Sequence, residues 1–517
     1  MKRKTKQYAI ASCTREATSI GIEIASSGGN AADVAVGAAF GLIVSNVLMC
    51  SLGGGGFATI RTPDGHVETI DFFDVMPGKG LNLEYIKKYV NVQKVHLDQG
   101  VGLEAMCGHA TVGVPGTAKG LELILNRYGT MPLKEIIQPS IDFAKKGTKI
   151  SETIRHCIDA SQKIHFRTSY GKKLLATPDG GIPEAGSILK QEDLANTLEL
   201  IKHYGSDVIY KGHVAEAIVD EMQQNGGLIT HKDLLTYEAI IRKPLKTSYK
   251  GKIIWTNPPP SVGGATLIEL LNIVSHFKFD KNMTSKDIAL LGKAQNLALK
   301  DKVTKYLDVE TNEEVTKELL SSEYAAKCYK QILPSPNTTH LSAIDATGCA
   351  IGITMSMGYD SGAPIPKTGI LMNNTLGEME LNPKGFLCAT PGSRLTSGMA
   401  PSIMFDENKF DIVVLGSPGA SRISTCLMQI ILNITDFKMD LLTALSAPRF
   451  HYEGNTFAIE PGIDVDRSLL SKETTIWKFN ELDMYFGGSQ CVRFEKGKLP
   501  EAATDLRRSG SAQTLIR

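Results

Sequence analysis

Apolar positions recur every three to four residues from residue 14 to residue 45, and the pattern breaks once, at "SSGGNAAD". This predicts two helices. Gly28 and Gly29 end the first, and the Asn30 side chain caps the second. After "SLGGGGF" the period changes to two in "ATIRT", a Pro-Asp-Gly turn follows at 63–65, and "HVETIDFF" continues in strand character. That reads as a hairpin. From about 116 to 245 the patterns are mainly helical, and "GKIIWTNPPPSVGGATLIELLNIVSHF" returns to strand, turn and helix. Residues 285–330 read as helical again until "QILPSPN" breaks them with two prolines. Everything after Thr338 reads as strand-rich except "SRISTCLMQIILNI". The order β, long α, β predicts one layered α/β body with a helical insertion, not domains in a row.

The segment "TTHLSAIDATGCAIGITMSM" raises the question of chemistry. A hairpin turning at Thr347 places Ser356 directly opposite Thr338, with β-carbons about 5 Å apart. Ile351, Ile353 and Met355 then face one way, and Gly352, Thr354 and Ser356 the other. A bulge at Gly348 would shift this register by one residue. Two readings of the threonine pair stay open at this point. Thr338 and Thr339 start a strand, which their β-branching suits, or one of them is a nucleophile.

Composition narrows the classes. The chain has 517 residues, 42% hydrophobic and 21% charged, with 56 basic and 55 acidic residues for a net charge of +1. Neither sign forms a long run, so a nucleic-acid or polybasic membrane partner is not expected. Nine cysteines occur without a CxxC pair, which argues against a zinc site or a disulfide framework and suits a reducing compartment. There is no HExxH and the histidines are dispersed, so no metal or organic cofactor is expected. The basic "MKRKTKQYAIAS" lacks a following apolar h-region. Asp33 and Asn46 interrupt the apolar stretch 31–50, which fits a buried core helix better than a membrane span. The expectation is a cytoplasmic protein. The glycine run at 53–56 is not followed by GK[ST], so a tight backbone passage is expected there, not a phosphate loop.

Threonine attacks poorly at neutral pH unless a base takes its proton. As the first residue of a chain it carries its own base, an α-amine with a pKa of about 7.7–8.0. Here that requires a cut between Asn337 and Thr338, next to the "PSPN" break.

Along nearly its whole length the sequence resembles the gamma-glutamyltranspeptidase family of N-terminal nucleophile hydrolases. "ASSGGNAADVAVGAAFGLIVSN", "SLGGGGFATI", "VGVPGTAKGLELILNRYGTMPL", "GGLITHKDLLTYEAIIRKPL" and "NPPPSVGG" follow family motifs in family order. "TTHLSAIDATG", "GILMNN", "LGSPGASRI" and "APRFHYEG" do so in the second half. The resemblance implies a four-layer αββα sandwich and self-cleavage into a heavy chain, 1–337, intertwined with a light chain, 338–517. It implies that Thr338 is both processing and catalytic nucleophile, and that Ser356 stands where the family has a supporting threonine. The backbone N–H groups of Gly419 and Ala420 would form the oxyanion hole, ahead of a helix whose N-terminal dipole favours developing negative charge. His340 is expected to pack locally and not to act as the base.

The departures fall in the donor pocket. Where the family has "DFRE", with an arginine for the glutamate carboxylate, this chain has "DFFD", so Phe73 replaces the clamp. Where the family has a serine pair, this chain has Ser397 followed by Gly398, so only the first hydroxyl remains. The resemblance also implies substrate binding by Asn374, and the family's amine-binding residues after it align with Thr375 and Glu378, which keeps one negative charge. Arg394 is either a substitute cation near Ser397 or part of a structural salt bridge. The implied reaction passes a γ-glutamyl group from an amide such as glutathione to water or to an amine or peptide acceptor. The alternatives are an acylase for a glutaryl-like or less polar acyl group, and a non-catalytic family member.

Overall fold

The computed structural model describes residues 7–87, 90, 92–97, 103–304, 338–378, 381–382 and 385–516. The expected cleavage partner Asn337, the "PSPN" break and the helical pattern beyond residue 304 lie outside the described residues.

Local signals set the helices. Thr14 and Asn30 cap Arg15–Ser27 and Ala31–Ser45, and Asn30 forms a reciprocal capping box with Asp33. Gly28 closes the first helix. The second is buried on all sides, in keeping with its unbroken apolar run. The 55–71 hairpin forms as expected, with strands Gly55–Arg61 and Val67–Asp71. The glycine run is a tight passage. A β-carbon at Gly54 would lie 2.2 Å from the Ser356 carbonyl oxygen, and one at Gly56 2.3 Å from that of Thr354.

Two antiparallel sheets form the middle layers. The seven-stranded sheet runs, edge to edge, Ser511–Ile516, Gln7–Ser12, Thr339–Asp345, Ala350–Ser356, Gly55–Arg61, Val67–Asp71, Ile240–Arg242. The six-stranded sheet runs Glu501–Thr504, Gln490–Glu495, Asp411–Gly416, Ser402–Asp406, Lys252–Thr256, Leu245–Tyr249. Ala9, Ala11, Ile344, Ile412 and Val414 pack between the sheets. Ile10, Leu341, Ile351 and Ile353 face the other way, onto the helices of the first half. Met404, Val413 and Leu415 meet Val262–Val274 and Arg422–Thr435 on the far side of the second sheet. Period-two alternation therefore separates three cores, and the layers are α, β, β, α, as expected.

Two elements differ from the local reading. Gln7–Ser12 is a strand whose two partners lie at the far end of the chain and beside Thr339, so its pairing has no local signature. Leu441–Ser446 is a short helix in the strand-rich half, started by Asp440, whose carboxylate accepts from the Thr443 N–H. Among the described residues no helix is long and apolar enough to cross a membrane.

Candidate active site

The central hairpin consists of Thr339–Asp345 and Ala350–Ser356, and it pairs Thr339 with Met355 and His340 with Thr354. One step outward in this register, Thr338 stands opposite Ser356, and no bulge at Gly348 displaces it. Alternation separates the two threonines. Thr339 faces the helices, where its Oγ1 accepts from Asn46 Nδ2 at 2.8 Å. Thr338 lies on the opposite face and lines a cavity at the end of the sandwich.

Five further segments complete that cavity. Ser356 contributes from the end of the partner strand, and its Oγ accepts from the Gly358 N–H at 2.9 Å. Ala420 and Ile423 come from the turn after the strand Asp411–Gly416 and from the first turn of Arg422–Thr435. Ser397, Gly398 and Met399 come from the segment before Ser402–Asp406, with the Ser397 Oγ accepting from the Met399 N–H. Phe73, Thr375, Glu378 and Leu381 close the remaining wall. The space is narrow, about 20 Å³, room for about one water.

Gly419 and Ala420 both have positive φ, 124° and 63°. Among the described residues no carbonyl is hydrogen-bonded to either N–H. Left-handed backbone is unfavourable for alanine, and such strain clusters at sites where a backbone group must be aimed. Free donors ahead of a helix, in a turn that brings Ala420 to the same cavity as Thr338, are equipped to stabilise a tetrahedral oxyanion.

The gamma-glutamyltranspeptidase profile matches residues 17–515. Glutathione hydrolase proenzyme of Escherichia coli (strain K12) is 31% identical over 90% of this chain and 84% of that protein. Acylase ACY 1 proenzyme of Pseudomonas sp. (strain SE83) is 32% identical over 86% and 83%. The crystal structure of cephalosporin acylase from Bacillus halodurans has the same fold, with a TM-score of 0.84 over 99% of this chain and 97% of that one at 24% identity. The chain belongs to the gamma-glutamyltranspeptidase family. It is an enzyme of the N-terminal nucleophile hydrolase type.

Within this family frame, two expected pocket residues turn elsewhere. Arg394 does not line the cavity. Its guanidinium donates to the carbonyls of Phe73 at 2.7 Å and Asp71 at 3.1 Å, and to that of Glu238. It also pairs with Asp71 at 3.3 Å and lies over the Tyr237 ring. Of the two readings open for Arg394, this is the structural one. Asn374 is fully buried: its Oδ1 accepts from the Tyr359 N–H at 2.8 Å, so it shapes the chain after Ser356 instead of facing the cavity.

Phe73 is locked in place. Its ring stacks on Phe57 at 5.6 Å within a cluster that includes Met76, Leu376, Leu395 and Met399. With Leu381 and Ile423 it makes much of the wall apolar, and no lysine or arginine is among the described residues lining the cavity. Leu381, Met399 and Ile423 carry no signal of their own in the sequence, since each is an ordinary apolar residue beside a motif.

His340 packs locally, as expected. Ser342 donates to the Gln490 carbonyl, so its oxygen must accept from His340 Nε2–H at 2.9 Å. Nδ1 is then the acceptor, taking the Thr354 hydroxyl at 2.8 Å. Burial pushes its pKa down to about 3. A β-carbon at Gly416 would lie 2.2 Å from the ring, so only glycine fits there. Cys13, whose thiol donates to the His340 carbonyl, is no rival nucleophile, because burial pushes its pKa up. Among the described residues no group of three or more His, Cys, Asp or Glu side chains is placed to hold a metal ion.

Proposed function

We propose that the protein cuts its own chain between Asn337 and Thr338, and that the light chain beginning at Thr338 then works as a gamma-glutamyltransferase-like amide hydrolase and acyltransferase. The observation that carries this reading is the convergence on one cavity of Thr338, Ser356 and Ala420, the last from a turn in which Gly419 and Ala420 both have positive φ. The freed α-amine of Thr338 accepts the hydroxyl proton as Oγ1 attacks the amide carbonyl. The Gly419 and Ala420 N–H groups stabilise the tetrahedral oxyanion, and the α-amine returns the proton to the leaving amine. The resulting threonine ester is resolved by water or by an amine or peptide acceptor. Ser356 supports the nucleophile across the strand pair, and Glu378 supplies negative charge for an amino group on the donor.

A second reading of the donor has its own support. With Phe73 in the arginine position, and Arg394 committed to backbone carbonyls, an α-carboxylate entering this cavity finds no cation among the described residues that line it. Donors with a less polar acyl group are then favoured over γ-glutamyl donors. The Pseudomonas relative named an acylase is in keeping with this.

Mass spectrometry of purified protein tests the processing, with two chains and a light chain starting at Thr338 as the expected result. A panel of γ-glutamyl, glutaryl and butyryl chromogenic amides tests the donor. A protein that stays in one piece yet hydrolyses these amides would refute the Thr338 assignment.

A further inference from the structure

Behind the cavity wall lies a carboxyl group that the reaction above does not use. Asp74 is fully buried. Its Oδ2 and the Thr375 Oγ1 are hydrogen-bonded at 2.6 Å, and Thr375 lines the cavity. Its Oδ1 has no hydrogen-bond partner among the described residues, and a β-carbon at Gly55, the ladder partner of Ser356, would lie 2.8 Å from it. An ionised carboxylate with one bare oxygen in such a place is strongly disfavoured.

Charged and titratable groups face Asp74 from several elements. Arg394 favours ionisation, but its guanidinium is already engaged by Asp71 and three carbonyls. Asp71 itself disfavours a second negative charge. Tyr210 and Tyr237 lie on the helical side, and Glu378 lines the cavity with Thr375. Burial is the dominant influence, and it pushes Asp74 up to about 8.

Resting on the reading that this cavity takes the acyl group, we infer that Asp74 is a positioning residue that sets the direction of the Thr375 hydroxyl, and with it the acyl groups the cavity prefers. In the neutral acid the proton belongs on Oδ2, because only there does it meet an acceptor, Thr375 Oγ1. The Thr375 hydrogen is then free to point into the cavity. In the carboxylate, Oδ2 only accepts, so Thr375 must turn its hydrogen back and show the cavity lone pairs. The protonated enzyme therefore favours an acyl chain that carries an acceptor, such as a ketone or carboxylate oxygen. The ionised enzyme loses that preference.

The test compares kcat/KM for two uncharged amides of the same shape, levulinyl and isocaproyl anilides, in the processed enzyme. The Thr338 amine acts on both alike and cancels in the ratio. The levulinyl preference is expected to fall about tenfold, the worth of one well-placed hydrogen bond, as pH rises through Asp74's titration near 8. Asp74→Asn, whose amide donates at every pH, should hold the ratio at its acid value. Thr375→Val should hold it at the alkaline value. A ratio that is flat in wild type, or still pH-dependent in Asp74→Asn, overturns the inference. Infrared spectra give a readout free of turnover: a protonated-carboxyl C=O band at neutral pH, absent in Asp74→Asn. Its absence in wild type likewise overturns it. If neither amide acylates Thr338 while the band is present, the proposed acyl chemistry fails and the protonated state of Asp74 stands.

Discussion

Thr339 Oγ1 accepts a hydrogen bond from Asn46 Nδ2, the residue that ends the buried helix Ala31–Ser45. The bond holds Thr339 on the helix side of the sheet, and the pleat then turns Thr338 to the cavity. The two threonines are therefore expected to fail differently. Thr338→Ala should remain a single inactive chain. Thr339→Val should still yield two chains, but with stability lowered by about 1–3 kcal/mol, because Asn46 loses a buried partner. Denaturing gels and urea unfolding check both. Processing that survives Thr338→Ala and is lost in Thr339→Val would exchange their roles.

Ala420 keeps its backbone at φ 63°, a conformation that glycine adopts freely. Ala420→Gly retains the N–H proposed to stabilise the oxyanion and removes the clash of the β-carbon. It is expected to raise the unfolding free energy by about 1 kcal/mol with little change in kcat. A large fall in kcat would mean that the side chain, not only the N–H, takes part in the reaction.

Phe73 bears on the donor. A charge-assisted pair is worth about 1.5–3 kcal/mol, so Phe73→Arg should raise kcat/KM for γ-glutamyl relative to butyryl amides by about 10- to 150-fold. The same change places a guanidinium next to Phe57 and Met399, so thermal stability should fall. Should wild type already prefer γ-glutamyl donors a thousandfold, the α-carboxylate is held by a group outside the lining described here.

His340 gives acid sensitivity its sign. Its folded pKa, about 3, lies below the ordinary histidine value of about 6.5. Between these values the unfolded chain takes up a proton that the folded protein refuses. This stabilising contribution is fully present above the unfolded value and is lost as pH falls through that window. His340→Gln keeps a donor to Ser342 and removes the titration, so its stability should decline less steeply in acid. Its activity should still rise through about pH 7–8, because in the proposed mechanism the Thr338 amine, not His340, is the base. If that rise disappears in His340→Gln, the base has been misassigned.

Much of this site was legible in the chain itself, because its signals are short-ranged. The pairing of Thr338 with Ser356 follows from a symmetric turn and a two-residue period. Asn30 and Gly28 bound helices through groups a few residues away, and the motifs around Thr338, Gly419 and Ser397 carry the family resemblance from which the site is proposed. What Arg394 does could not be read the same way. A long cation takes its direction from whichever carbonyls arrive nearby, here those of Phe73, Asp71 and Glu238, brought together only by folding. Asn374 turns to Tyr359, Gln7–Ser12 finds strands from the far end of the chain, and Phe73 is fixed by Phe57 for the same reason. The protonation of Asp74 depends on tertiary structure most of all. Desolvation is a property of everything packed around a group, and no stretch of sequence contains it.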